Sequence, residues 1–117
     1  MAFVVRAFPV LAGREESVRQ LARSMSTERA AQTTDFYARN GVCHESWHLQ
    51  ETPAGPWVIA VSDIDAPAQR ARQYSASQQE FDAWFKRQVL ELTGIDPQTQ
   101  PLGPPTQEIF AWSAIKE

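Results

Sequence analysis

The chain has a single cysteine, Cys43, no run of basic residues and no long apolar stretch. A lone thiol cannot form an intrachain disulfide, which fits a reducing compartment. Scattered arginines and lysines with a net charge of −3 exclude the clustered basic face that nucleic acid requires. No segment approaches the roughly 18 apolar residues of a membrane span, so no membrane partner is expected. Arg6 interrupts the first apolar run and no basic region precedes it, so no signal peptide is expected. The expected location is cytoplasmic. At 117 residues, 43% of them apolar, the chain suits one domain with a real core, spanning 1–117.

What is present alternates between two periodicities. Residues 2 to 10, "AFVVRAFPV", are aromatic and β-branched and read as a strand ended by Pro9. In "REESVRQLARSM", Val18, Leu21, Ala22 and Met25 recur at helical spacing. That helix is expected to continue to Gly41, with Ser26, Thr27, Thr33 and Thr34 as the places where it would kink or break. "VCHESWHLQET" and "WVIAVSDI" read as strands joined by a "PAGP" turn. Asp65 and Pro67 open a short helix. Ser77 and Glu80 form a capping box ahead of a longer one, in which Phe81, Trp84, Phe85, Val89 and Leu92 share a face. "TQEIFAWSA" reads as a last strand. The order predicts an α+β, ferredoxin-like βαββαβ fold: a four-stranded antiparallel sheet with its helices on one face.

Side chains alternate across a strand, so each strand divides into two sets. Phe3, Val5 and Ala7, then Trp57, Ile59 and Val61, then Ile109 and Ala111 suit the helix-covered face. In strand two, one set holds Val42, His44, Ser46 and His48, the other Cys43, Glu45, Trp47 and Leu49. Burying an ionised Glu45 without a partner costs several kcal/mol, whereas neutral imidazoles need only a hydrogen bond or two. The histidine set is therefore placed under the helices, with the reverse assignment left open. Arg6, Glu45 and Trp47 then share the bare face with Val4, Phe8, Leu49, Phe110 and Trp112, around the small residues Ala60 and Ser62. Apolar walls with a few convergent polar groups are the usual make-up of a small-molecule pocket, and a second copy of the sheet is the expected cover.

This pattern resembles the dimeric α/β-barrel superfamily, in which two ferredoxin-like subunits pack sheet on sheet around a cavity. "ESWHLQETPAGPWVIAVSDID" and "QQEFDAWFKRQVLEL" look most like a small bacterial family of unassigned function within it, related to the antibiotic-biosynthesis-type monooxygenases. The resemblance implies a homodimer with a cavity between sheets. Its chemistry would be that of a cofactor-independent monooxygenase or isomerase acting on small aromatic or polyketide-like compounds. The alternative is a non-catalytic stress-response or structural dimer with a side-chain-filled barrel. The haem-degrading relatives use an Asn, Trp and His set; strand one here carries Arg6 and no Asn, and no cofactor is expected.

The candidate catalytic pair is Glu45, as proton acceptor, and Arg6, as holder of an anionic or enolate oxygen. Trp47, Phe8, Phe110, Trp112 and Ser62 are the candidate ligand-binding residues. An ion pair between Arg6 and Glu45 that merely fixes how two sheets meet is the competing interpretation. No metal is expected, because His44 and His48 on a strand lie about 13 Å apart and Cys43 faces away from both. Alternation also turns His44 away from Cys43, which removes the base a nucleophilic thiol needs.

Overall fold

A computed structural model describes residues 2–104 and 106–114. Strand β1 (Ala2–Pro9) leads into α1 (Glu15–Ser26) and α2 (Ala30–Arg39). The hairpin β2 (Val42–Thr52) and β3 (Gly55–Ile64) follows, then α3 (Pro67–Ala76) and α4 (Glu80–Thr93). The sheet is antiparallel, in the order β1-β3-β2. The fold is therefore α+β with three strands and four helices among the described residues.

The expected fourth strand is corrected. Residues 106–114 adopt no regular structure, and Ile109, Phe110 and Trp112 are 91%, 81% and 78% exposed. The start of this segment meets the sheet: the Thr106 backbone N–H and hydroxyl both donate to the Val5 carbonyl. Gly103 makes that approach possible. Its φ is +76°, and a Cβ there would sit 2.6 Å from the Ala7 carbonyl oxygen.

The long first helix is two helices. Ser26 Oγ donates to the Ala22 carbonyl and Thr27 Oγ1 to the Arg23 carbonyl, bonds that compete with the helical ladder. At Thr27 the backbone leaves helical geometry, with ψ −92°. Before α3, Ala66 takes the N-cap position in a left-handed conformation and Pro67 follows it, while Asp65 pairs with Arg70 at 2.9 Å. Nor does the capping box form. Ser77 instead donates to Asp82 at 2.5 Å, and α4 starts at Glu80 behind Gln79.

The helices cover the face opposite to the expected one, and this is the main correction. Phe8 and Val58 are buried in the core with Val18, Leu21 and Met25 of α1, Phe36 of α2, and Phe81, Phe85, Val89 and Leu92 of α4. Phe3, His44 and His48 are exposed on the open face. The cost assigned to a buried Glu45 is met by two hydrogen bonds, described below. The opposite face carries Asp63 and both histidines among Phe3, Val5, Ile59 and Val61.

A second packing network joins the helices away from the sheet. Asp82, 1% exposed, accepts two hydrogen bonds from the Arg39 guanidinium and one from Ser77. Burial raises its pKa, but these bonds outweigh that and hold the carboxyl below its ordinary value. Lys86, also buried, donates to the carbonyls of Tyr74, Ser75 and Ser77. Tyr74 and Ser75 lie in the last turn of α3 and Ser77 is its C-cap, so Lys86 draws on carbonyls where a helix end leaves acceptors short of donors.

Candidate functional site

Between the sheet and the helices lies a cavity of about 230 Å³. Its floor is a set of aligned rows across β1, β3 and β2: Phe8, Val58 and Leu49; then Arg6, Ala60 and Trp47; then Val4, Ser62 and Glu45. All of these except Leu49 line the cavity. The small Ala60 and Ser62 on the middle strand leave the space between Arg6 on one side and Glu45 and Trp47 on the other. A β-bulge extends the floor. Val42 pairs with Ile64 and His44 with Asp63, leaving Cys43 as the extra residue. Strict alternation would have placed Val42 with His44; the bulge turns it into the cavity beside Glu45. Cys43 itself is exposed.

Glu45 is held by both oxygens. Ser62 Oγ donates to one at 2.5 Å and Trp47 Nε1 to the other at 2.8 Å. Burial pushes its pKa above the ordinary carboxylate value; the two hydrogen bonds and the charge of His44 offset only part of that. Each oxygen retains accepting capacity beyond the bond it makes. The arrangement is a fixed carboxylate in apolar surroundings with a raised proton affinity. Such a group can take a proton from a bound molecule near neutral pH.

Arg6 lies two strands away and one pleat along, about 12 Å from Glu45 by sheet spacing. Its Nη1 donates to the Gly103 carbonyl at 3.0 Å, and no Arg6–Glu45 ion pair occurs among the described residues. The two groups sit at separate places on one cavity wall.

The structure thus brings Arg6, Glu45, Trp47, Phe8 and Ser62 to one cavity, but within the subunit rather than between two sheets. It leaves Phe110 and Trp112 outside, exposed on the C-terminal segment. His44 and His48, expected beneath the helices, lie on the open face, with His48 Nε2 3.1 Å from Ser46 Oγ. Among the described residues no group of histidine, cysteine and carboxylate side chains is placed to hold a metal ion.

The cavity's roof was not anticipated from the sequence. Phe36 and Tyr37 from α2, Asn40 at its C-cap, Arg70 and Tyr74 from α3, and Phe85 from α4 all line it. The signal lay in the helices: Phe36 and Tyr37 precede the Gly41 terminator, and Tyr74 is the one aromatic of α3. Their relevance depended on which sheet face the helices cover. No family model matches the chain, and neither does any curated protein or solved structure.

Proposed function

We propose that the protein binds a small planar molecule, aromatic or polyketide-like, between its sheet and helices and removes a proton from it with Glu45. The observation that carries this reading is the Glu45 carboxylate. It is fixed by Ser62 and Trp47 inside a mainly apolar cavity, where burial raises its proton affinity. An apolar cavity of about 150 Å³ accepts a benzene-sized ring, so about 230 Å³ suits a substituted ring or a fused pair. Trp47 and Phe85, with ring centroids 5.9 Å apart, offer aromatic surface to such a ligand. Arg6 supplies a cation at the far side of the floor for an anionic substituent.

Proton removal from a hydroxyaromatic compound is the first step that a cofactor-independent monooxygenase and an isomerase share, so the same base serves either outcome. The strand order and the course of Thr106 beside β1 also support a ferredoxin-like subunit of a dimeric barrel, with residues 106–114 completing the sheet on assembly. A structural dimer without catalysis is the second reading, favoured by the large exposed side chains of that segment.

The test is turnover of a panel of hydroxynaphthalenes and hydroxyanthracenes, followed by oxygen uptake and by product absorbance. Glu45→Gln keeps the size of the side chain and removes the base. It should lower turnover by roughly 10²-fold while calorimetry shows ligand still bound. Undiminished turnover in Glu45→Gln would reject Glu45 as the base. Binding with no turnover by the native protein would favour the structural reading.

A further inference from the structure

Two phenols in the cavity roof have no task in the reading above. Tyr37 of α2 and Tyr74 of α3 are both half-buried and both line the cavity. They are brought together by one residue, Phe36, whose ring each meets edge-on, at 5.1 Å and 5.7 Å between centroids. Among the described residues no protein group hydrogen-bonds either hydroxyl, and neither oxygen is sealed from solvent, so both are free to donate to a molecule in the cavity. Burial first, then the charge of Glu45 and the neighbouring Tyr74, pushes the Tyr37 phenol far above its ordinary range. Burial and then Asp82 do the same for Tyr74. Both O–H groups therefore stay protonated, as donors, throughout the physiological pH range.

The roof thus offers two hydroxyl donors, and the floor offers a carboxylate with no proton to give until it takes one. That polarity fits a ligand with an acceptor oxygen next to an acidic C–H. We propose that the cavity takes an enolisable cyclic ketone, with Tyr37 and Tyr74 donating to its carbonyl oxygen while Glu45 accepts the proton from the adjacent carbon. This rests on the cavity being the functional site, as argued above. In the step, the C–H bond breaks and its proton forms an O–H bond on Glu45. The electron pair becomes the C=C bond, and the carbonyl π pair moves to the oxygen, which the phenol hydroxyls hold as an enolate. Glu45 then returns the proton, to the oxygen or to another carbon of the conjugated system. Atoms and electrons balance without an oxidant. Tyr37 and Tyr74 would act where charge develops, which is where fixed donors accelerate a reaction most.

The experiment compares 2-naphthol, an enol locked in an aromatic ring, with naphthalene, which has the same rings and no oxygen. Affinities are measured by fluorescence titration at pH 7. Transfer from water into an apolar cavity alone favours naphthalene, since the hydroxyl loses its hydration. The proposal expects 2-naphthol to bind about tenfold more tightly, the size of one good net hydrogen bond. Tyr37→Phe should bring the 2-naphthol affinity down toward that of naphthalene and leave naphthalene unchanged, which also reports that the variant is folded. Tyr74→Phe should act in the same direction, and the double variant should abolish the preference. Equal affinities in the native protein, or a preference that survives in the double variant, would overturn the donor pair while leaving the cavity as a binding site. If neither compound binds, the donor pair and the cavity reading fall together.

Discussion

Glu45 is under two opposed demands, and their balance depends on pH. The carboxylate form gains the donors Ser62 and Trp47, yet burial favours the neutral form, and the net effect is a raised pKa in the folded protein. Below the unfolded value of about 4.3 the group is protonated in both states and its ionisation costs nothing. As pH rises past that value, the unfolded chain releases the proton first, and folding must then work against the ionisation until the folded pKa is passed. Glu45→Gln removes this effect. The variant should therefore gain stability relative to the native protein as pH rises from about 4.5 to 7, read as the difference between two urea-unfolding series. A difference that stays constant over this window would show that Glu45 has the same pKa in both states. A difference that shrinks would mean that Ser62 and Trp47 outweigh burial. Residue types alone do not reveal this balance. That Arg6, Glu45 and Trp47 share a face follows from alternation. That burial is tolerable follows only from the register, which sets Ser62 opposite Glu45.

At the scale of elements, α3 stands apart from the other helices. None of its residues is buried, yet Arg70 and Tyr74 form part of the cavity roof. Apolar packing, which holds α1 and α4, does little for it. Tyr74 is its one aromatic anchor, against Phe36 and Phe85; its polar attachments are Arg70 to Asp65 and to the Arg39 carbonyl at one end, and Lys86 to three carbonyls at the other. Gly41 makes room for the first, since its φ is +70° and a Cβ there would collide with Asp65 and Arg70. Lys86→Met preserves much of the buried volume and removes all three bonds at the end of α3. Amide exchange across residues 67–76 should then speed up by at least tenfold while α1 keeps its protection. Unchanged exchange in α3 would mean that backbone and cavity contacts hold it without Lys86. Periodicity located this helix from the Asp65–Pro67 signal, as it located α1, α4 and the β2–β3 hairpin. Ser26 and Thr27 were among the candidate break points, and their hydroxyls, by taking backbone carbonyls, decide for that place over Thr33 and Thr34. The bulge at Cys43 escaped the reading, because it shifts one residue of a strand without changing its composition.

The whole molecule leaves two apolar surfaces without a cover. One is the open sheet face, where exposed Phe3 adjoins Val5, Ile59 and Val61. The other is the segment 106–114, whose Ile109, Phe110 and Trp112 lie almost wholly in water. Sequence alternation placed this segment in the sheet, because its apolar residues look like those of a core strand. What alternation cannot supply is a surface to pack on, and a three-stranded sheet with its helices on one side offers none within the subunit. Full burial of three such side chains is worth roughly 1.5–3 kcal/mol each, enough to order nine residues only when a second surface is shared. We therefore expect a homodimer through the open face, with each segment lying along β1 of its own or the partner's sheet. Light scattering after size exclusion should give about twice the 13.2 kDa of one chain at micromolar concentration. Ile109→Asp combined with Trp112→Asp should shift the equilibrium to monomer without unfolding α1 or α4. A native protein that is monomeric at that concentration would reject the dimer. So would a dimer whose amide protection on dilution changes over the helices rather than over β1 and residues 106–114.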